Sequence, residues 1–207
     1  MLFKASAYNG ETLTIKGEGN TVGSLTEIQR SIVIGSLLGD GSMRCKTNAL
    51  LEINHGIRQK FYVDWKYQHL AQFVLTPPKS RRGNGKRVAY RFTTRSLPEL
   101  TPFYWWFYPN RKKIIPDNLL LDPLSLAVWF MDDGCKSYRA LYLNTQQFDL
   151  NSQMRLVKLL NGQWGIKATL NRDKQYRRVR IAVASVPKVK ELILPHILIP
   201  FQYKFPL

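Results

Sequence analysis

Two adjacent aspartates close an apolar segment and are the residues best suited to chemistry. Residues 124–134 read L-S-L-A-V-W-F-M-D-D-G, with Asp132 and Asp133 directly before the glycine. Asp122 and Pro123 predict an N-cap and a first helical position, so we expect a short buried helix. Carboxylates at the C-terminus of such a helix are costly, because the helix dipole repels negative charge there. Protons, cationic partners or a metal ion must offset this cost, and the pattern favours a metal site.

A second segment nearer the start of the chain has the same construction. Thr26 and Gln29 fit a capping box at the beginning of a predicted helix that ends in L-L-G-D-G. Gly35 and Gly39 lie on one stripe of this helix, where small residues let another helix approach closely. Asp40 follows directly. An ordinary helix-ending turn would explain either Asp-Gly pair alone, whereas two pairs in matching surroundings favour a shared function.

The similarity between the two segments extends into a repeat. Each aspartate is followed by two strand-like segments, an amphipathic helix, a basic turn region, a strand and a third helix, and each copy closes on a lysine near proline. The separation is 113 − 40 = 73 residues from Asp40 to Lys113 and 204 − 133 = 71 from Asp133 to Lys204. The paired segments are 51–54 and 141–144, 58–75 and 151–164, and 87–96 and 178–185.

The repeat predicts an α+β fold made of two αββαββα units. Each unit would form a curved antiparallel sheet backed by helices, with an approximate twofold axis between the units. We assign residues 1–23 to an N-terminal leader, 24–116 to the first unit and 117–207 to the second. At the axis, the two central helices would pack through Gly35 and bring Asp40 and Asp133 side by side. The residues expected to face the core are Phe61, Trp65, Leu70, Phe73, Met154, Leu156, Val157, Leu160, Val179, Ile181 and Val183.

The charge of the chain indicates a polyanionic partner. Its 31 Lys and Arg against 14 Asp and Glu give a net charge of +17 and a pI near 10.1, and 12% of residues are aromatic. Nucleic acid is the first candidate for such a composition. No apolar run reaches the length of a membrane span, which excludes an integral membrane protein, and we expect an intracellular protein, in an organelle or the cytoplasm of a prokaryote. Cys45 and Cys135 are too few for a disulfide framework or zinc site and are expected to be reduced.

The strands indicate where nucleic acid would bind. Alternating residues give each sheet one apolar face and one face rich in Arg, Thr, Asn and Gln, with Glu52 as the acidic exception. Such groups suit phosphates and base edges. The residues expected to contact DNA are Arg44, Lys46, Asn54, Lys79, Arg81, Arg82, Lys86, Arg87, Arg91, Thr93, Arg95, Lys136, Tyr138, Arg139, Tyr142, Asn144, Gln146, Lys167, Arg172, Lys174, Arg177, Arg178 and Arg180.

The paired carboxylates suggest the reaction. Two nearby aspartates in a cationic protein can hold divalent metal, which polarises a scissile phosphate and lowers the pKa of an attacking water. Lys113 and Lys204, at equivalent points of the two copies, could stabilise the developing charge or orient the water.

Residues 33–41 and 126–134 resemble the paired motifs of the LAGLIDADG homing endonucleases, in the single-chain branch with two motifs. Supporting segments are L-T-P-P, K-K-I-I-P, L-N-T-Q-Q-F and the final L-I-P-F-Q-Y-K-F-P, so the resemblance covers residues 24 to 207. It implies that Asp40 and Asp133 are metal-binding catalytic residues, that Lys113 and Lys204 flank the metals, and that Gly39 and Asp132 belong to the metal site.

The resemblance implies a monomeric, Mg²⁺-dependent endonuclease that cuts both strands of a long asymmetric DNA site and serves intron mobility. Mn²⁺ is expected to substitute for Mg²⁺, and Ca²⁺ to bind without cleavage. The main alternative is a maturase that binds intron RNA on the same scaffold, and a third is a DNA-binding regulator without catalysis. His55, His69 and His196 lack ligand spacing and are expected to be structural or exposed, although His55 could touch DNA. The aromatic run 103–108 is expected to pack in the core.

Overall fold

The computed structural model describes residues 3–5, 13–15, 25–83 and 87–206. Within the predicted leader, strands β1 (Phe3–Ala5) and β2 (Leu13–Ile15) pair antiparallel. The rest of the 1–23 leader lies outside the described residues. In the part of the chain that the structure describes, no helix is long and apolar enough to cross a membrane.

From residue 25 onwards the same order of elements occurs twice. The first copy contains α1 (Glu27–Leu38), β3 (Ser42–Cys45), β4 (Ala49–Gly56), α2 (Lys60–Leu70), β5 (Lys79–Arg82), β6 (Val88–Thr93) and α3 (Thr101–Phe107). The second contains α4 (Pro123–Asp133), β7 (Gly134–Ser137), β8 (Ala140–Leu143), α5 (Leu150–Trp164), β9 (Ala168–Asp173), β10 (Tyr176–Ile181) and α6 (Val186–Ile193). Each copy forms one four-stranded antiparallel sheet, in the orders β3-β4-β6-β5 and β7-β8-β10-β9. The predicted pair of αββαββα units is confirmed.

Local capping signals set the starts of the two central helices. The Thr26 hydroxyl accepts the backbone N–H of Gln29, and the Gln29 side chain accepts the N–H of Thr26 in return. Asp122 caps α4 through the N–H of Ser125, with Pro123 as the first helical residue. Both helices therefore begin where the sequence predicts, and they end at the glycines Gly39 and Gly134.

Gly35 brings the two central helices into contact. A Cβ atom built on Gly35 would lie 2.5 Å from the carbonyl oxygen of Ser125 and 2.6 Å from the Cβ of Val128. These neighbours belong to the opposite helix, α4, and one of them is backbone, so they cannot move aside independently. The predicted helix pair is present, and its closeness depends on the missing side chain.

We expect Gly35→Ala to destabilise the protein although alanine is the better helix former. Separating α1 from α4 should cost about 1 to 3 kcal/mol of unfolding free energy. Gly162→Ala in α5 is the matched control, because a Cβ there would meet nothing within 4 Å, and it should stabilise by roughly 0.5 to 1 kcal/mol. Urea denaturation measures both variants. If both variants changed the unfolding free energy by the same amount, close packing at Gly35 would not limit the separation of α1 and α4.

Three residues predicted to face the core do not. Phe61, Met154 and Val183 are 38%, 54% and 40% exposed. Val183 lies beyond β10 in a 3-10 turn (Val183–Ser185), where the strand alternation has ended. In the two helices, the buried face is displaced from the expected apolar stripe because polar side chains occupy part of it. The buried residues are Tyr62, Val63, Lys66 and Leu70 in α2 and Ser152, Gln153, Leu156 and Leu160 in α5.

The aromatic run at 103–108 packs mainly in the core, as predicted. Phe103, Tyr104, Phe107 and Tyr108 are buried, whereas Trp105 is 51% exposed. The Tyr108 hydroxyl accepts the backbone N–H of Met43 and so fixes the first strand after α1. These aromatic side chains therefore support the sheet instead of presenting rings for stacking on bases.

Candidate active site and nucleic-acid interface

The two predicted catalytic aspartates lie at the ends of the packed central helices. Asp40 follows Gly39, the C-cap of α1, and Asp133 is the last residue of α4. Gly39 faces the other helix closely, since a Cβ built on it would lie 2.4 Å from the Cβ of Asp132. The Asp40 carboxylate is about half exposed, at 49% of its side-chain surface. The repeat therefore brings both aspartates to one small region, as expected from the twofold arrangement.

The two predicted lysines bind the helix ends in equivalent ways. Lys113 Nζ donates to the carbonyl oxygens of Gly39 (3.1 Å) and Gly41 (2.8 Å). Lys204 Nζ donates to the carbonyl of Met131 at 2.6 Å, with those of Phe130 and Asp132 at 3.4 Å. Each cation thus satisfies carbonyl groups that a helix C-terminus leaves without partners, and offsets the negative end of the helix dipole.

The electrostatics of the two aspartates differ. Burial raises the pKa of the Asp133 carboxyl to about 8, and the nearby carboxylates of Asp40 and Asp132 raise it further. A hydrogen bond from His55 is the main cause that lowers the pKa of Asp40 below its usual value. Burial also lowers the pKa of Lys113 to about 8, against the opposing effect of the three carboxylates. Two carboxylates close together, one of them strained by burial, suit a bound divalent cation.

The metal-free protein should lose stability as the pH rises from about 4 to about 8. In this window folded Asp133 keeps a proton that the unfolded chain, with an ordinary pKa of 3.8, has released. The folded state then binds more protons, so the unfolding free energy falls with rising pH. Between pH 5 and pH 8, the unfolding free energy of Asp133→Asn should rise relative to that of wild type by about 1 kcal/mol or more.

Urea unfolding in EDTA at the two pH values measures this difference. Glu191→Gln, an exposed change on α6, should keep the wild-type pH dependence. If the unfolding free energy of Asp133→Asn changed with pH as much as that of wild type, the Asp133 carboxyl would not have a raised pKa in the folded protein. At pH 8, adding a divalent cation should stabilise wild type more than the variant.

Asp132 takes part in a contact that the sequence did not predict. Lys66 Nζ lies 2.9 and 3.1 Å from the two carboxylate oxygens of Asp132, and both side chains are fully buried. Asp132 Oδ2 also accepts the backbone N–H of Asp40 at 3.2 Å. Because these oxygens are engaged and shielded from water, the geometry disfavours Asp132 as a metal ligand through its side chain. Its place in the metal site stays a prediction.

His55 and Gln147 are two further polar residues at the site. His55 Nδ1 lies 3.3 Å from Asp40 Oδ2, and the ring is 1% exposed, so it supports Asp40 from inside the protein. The Gln147 amide donates to the Gly39 carbonyl (3.2 Å) and lies 3.5 Å from Asp133 Oδ2. The other two histidines lie elsewhere, with His69 against Trp65 and His196 exposed. The only sequence signals for these two site residues are their polar types, His55 within the second strand of the first copy and Gln147 shortly after the second strand of the second copy.

The donor set can accept a divalent cation only together with other oxygen ligands. Among the described residues, no group of three or more His, Cys, Asp or Glu forms a metal cage. Asp40 and Asp133 supply hard oxygen donors, as Mg²⁺ prefers, and phosphate oxygens and water would complete such a shell. The Gly39 carbonyl already accepts from Lys113 and Gln147, so its place in the metal site stays a prediction. The residues present therefore fit a cation that binds between protein and phosphate.

The two sheets carry cationic faces on the side away from their helices. In the first sheet, Arg44 and Arg91 both contact Glu52, at 3.0 and 3.4 Å, so the acid on this face is paired. In the second sheet, the Arg178 guanidinium lies 4.4 Å from the ring centre of Tyr142. Strand register places on these faces Arg44, Asn54, Lys79, Arg81, Arg91, Thr93, Tyr142, Arg178 and Arg180.

Other predicted DNA contacts lie off these faces. Register sets Lys136 opposite buried Leu141, and Arg82 opposite Val88, which is the side of the strands that packs on helices. Arg172 and Arg177 pair with each other on that same side. Residues in turns or at strand ends are Lys46, Arg87, Arg95, Tyr138, Arg139, Asn144, Gln146, Lys167 and Lys174. Lys86 lies outside the described residues.

Two sheets with paired carboxylates at the ends of packed central helices define the architecture of the LAGLIDADG homing endonucleases. The model of the LAGLIDADG DNA endonuclease family matches residues 30–189, and the chain belongs to this family. Among solved structures, it is similar to the homing endonuclease I-WcaI bound to its DNA recognition sequence. The TM-score is 0.82 at 24% identity, over 92% of this chain and 96% of that one, so the fold is shared.

Curated relatives include proteins with different names. The cytochrome b mRNA maturase bI2 of Debaryomyces hansenii is 29% identical over 193 residues, 84% of this chain and 71% of the relative. The "Probable intron-encoded endonuclease 1" of Wickerhamomyces canadensis is 27% identical over 197 residues, 87% of this chain and 85% of the relative. For other relatives the chain spans about half their length, as for Protein RecA of Mycobacterium gastri, 31% identical over 203 residues but only 47% of that protein.

Proposed function

We propose that this protein is a site-specific DNA endonuclease that hydrolyses phosphodiester bonds with divalent metal held by Asp40 and Asp133. The observation that carries the proposal is the pair of carboxylates at the ends of α1 and α4, in a chain whose net charge is +17. A bound Mg²⁺ or Mn²⁺ would polarise the scissile phosphate and lower the pKa of an attacking water. Family membership supports the reaction class.

In this proposal, the side chains of the protein bind the DNA and hold the two catalytic aspartates in position. The cationic sheet faces neutralise DNA phosphates and place Asn54, Tyr142 and Arg180 where they can read base edges. Lys113 and Lys204 hold the helix ends through carbonyl groups, so that the aspartates project at fixed positions. Gln147 connects the end of α1 to Asp133 and can orient a water molecule between them.

RNA binding is the second candidate function, and one observation favours it. A relative that covers most of this chain is named a maturase, so this scaffold is found in a protein with that role. The cationic faces that suit DNA phosphates would also suit intron RNA. The paired carboxylates support the nuclease, because RNA binding alone gives no reason to place two acids in a basic protein.

A cleavage assay tests the proposal. Plasmid that carries the uninterrupted DNA sequence flanking the gene is incubated with the protein and Mg²⁺, Mn²⁺, Ca²⁺ or EDTA. We expect double-strand cleavage with Mg²⁺ and Mn²⁺, and binding without cleavage with Ca²⁺. A wild-type protein that leaves the plasmid intact but binds its intron RNA tightly would favour the maturase. Cleavage in EDTA would contradict the metal site.

A further inference from the structure

A buried ion pair crosses the boundary between the two copies beside the catalytic aspartates. Lys66, in α2 of the first copy, contacts both carboxylate oxygens of Asp132, in α4 of the second, and both side chains are 0% exposed. The ammonium group also lies 4.4 Å from the ring centre of Tyr62. The pair is thus fully enclosed and lies in the protein interior next to the site.

The two copies differ at both positions of this pair. The buried faces of α2 and α5 match at an offset of 90 residues, which sets Lys66 against Leu156, since 156 − 66 = 90. The two aspartates that end the central segments are 133 − 40 = 93 residues apart, and the same offset sets Asp132 against Gly39. The symmetry-related positions therefore hold Leu156 in the second copy and Gly39 in the first, instead of lysine and aspartate.

The residues at these symmetry-related positions show that the repeated fold does not require an ion pair there. Enclosing two charges costs several kcal/mol of desolvation per ion, so replacing a buried pair with apolar residues is often neutral or favourable. A stabilising role alone therefore does not explain why Lys66 and Asp132 are present. Their contacts with the catalytic region suggest another role.

Asp132 reaches across to the first aspartate and fixes its backbone. Its Oδ2 atom accepts the N–H of Asp40 at 3.2 Å, and the absence of a side chain on Gly39 makes room for this approach. The same carboxylate lies 3.9 Å from His55 Nε2, while Nδ1 of that ring lies 3.3 Å from Asp40. The Asp40 carboxylate is thus exposed on one side and faces three buried side chains, Lys66, Asp132 and His55, on its protein side.

Among the described residues, Asp133 has no buried ion pair or histidine beside it, and its side-chain neighbour is the Gln147 amide at 3.5 Å. At the 90-residue offset, His55 corresponds to Thr145, whose hydroxyl accepts the N–H of Val179 within the sheet. The position of Lys66 is filled by apolar Leu156. The two halves of the site, one around Asp40 and one around Asp133, are therefore built differently although the backbone repeats.

We propose that Lys66 and Asp132 are positioning residues that hold Asp40 through its backbone N–H and make the two halves of the site inequivalent. The inference rests on the proposed nuclease function, with the two halves serving different DNA strands. Lys66 acts through Asp132 by fixing its carboxylate. Because misplacement of a catalytic group by about 1 Å can cost 10²-fold in rate, loss of this support should affect one strand more than the other.

Two double variants separate the hydrogen bond from the charges. Lys66→Met/Asp132→Ala removes the pair and the acceptor for Asp40, whereas Lys66→Met/Asp132→Asn removes both charges but keeps an acceptor oxygen. Nicking of each strand is followed on DNA with a different fluorophore on each 5′ end. We expect the Ala variant to change the ratio of the two nicking rates by about tenfold or more, and the Asn variant to recover most of the wild-type ratio.

A second readout does not depend on cleavage. In the metal-free protein, the backbone amide proton of Asp40 should move upfield in the Ala variant and stay near its wild-type shift in the Asn variant. Equal nicking ratios in all three proteins would overturn the inference, since the pair would then only fill space. A ratio that changes equally in both variants would also overturn it, because charge and not the hydrogen bond would be responsible. If wild type cuts no DNA, the proposed function fails, and the amide shift alone decides the positioning.

Discussion

Asp40→Asn and Asp133→Asn are each expected to lower the rate of DNA cleavage by roughly 10³-fold or more. Asparagine has nearly the shape of aspartate, so the ends of α1 and α4 should keep their packing. It lacks the negative charge that holds a divalent cation beside a phosphate. DNA affinity should stay equal to wild type or increase, because each variant removes a charge that repels phosphate.

Single-turnover cleavage and a fluorescence-anisotropy titration in Ca²⁺ measure rate and affinity separately. Asp117→Asn is the matched control, because this aspartate is exposed in the connection between the copies and contacts only Arg155 among the ion pairs of the described residues. It should cut at the wild-type rate. If both Asp40→Asn and Asp133→Asn also cut at that rate, the carboxylates are not metal ligands and the proposed site is wrong.

The repeat and the positions of the central helices could be predicted because their signals are local. Capping residues, a proline at the first helical position and Gly35 each act within a few residues or through the lack of a side chain. Two such segments in register were enough to infer the helix pair and the meeting of Asp40 with Asp133. The strand order of the two sheets and the similarity to the I-WcaI structure confirm the fold that the repeat implied.

The ion pair could not be predicted for a physical reason. Lys66 and Asp132 are 66 residues apart in the chain. Each is a charged residue in an otherwise buried part of its helix, so neither suggests the other as its partner. A lysine inside a buried helix face makes the apolar stripe appear to lie elsewhere, which is why Phe61 was wrongly predicted to face the core. In the sequence, Asp132 at the end of α4 resembles an extra metal ligand. Only the three-dimensional structure shows that its carboxylate is already paired with Lys66.

The side of a strand on which a residue lies was also only partly predictable. Alternation assigns faces correctly along the regular parts of the strands, as for Arg91 and Arg180. It also puts Lys136 and Arg82 on the helix side with their cross-strand partners, whereas their charges favour a DNA contact, which stays a prediction. Exposure at a strand end permits a charged residue on either face, so composition alone cannot decide its direction.

Replacing Lys66 alone should be among the most destabilising single changes in the protein. Lys66→Met leaves the Asp132 carboxylate buried without a cation, and breaking a buried pair from one side costs about 3 to 5 kcal/mol of unfolding free energy. Lys60→Met is the matched control, since Lys60 forms an exposed pair with Asp64 one turn away on the same helix. That change should have little effect, because water screens exposed pairs.

The double variant Lys66→Met/Asp132→Ala should be more stable than Lys66→Met alone. Replacing Asp132 as well removes the unpaired buried carboxylate that Lys66→Met leaves behind. The effects of the two substitutions on the unfolding free energy should therefore be strongly non-additive. Urea denaturation of wild type, both single variants and the double variant gives the coupling free energy. A Lys66→Met protein as stable as wild type would mean that Asp132 does not depend on this cation. Strong coupling with recovery in the double variant would instead show that the pair contributes little net stability, which leaves the placement of Asp40 as the reason for its presence.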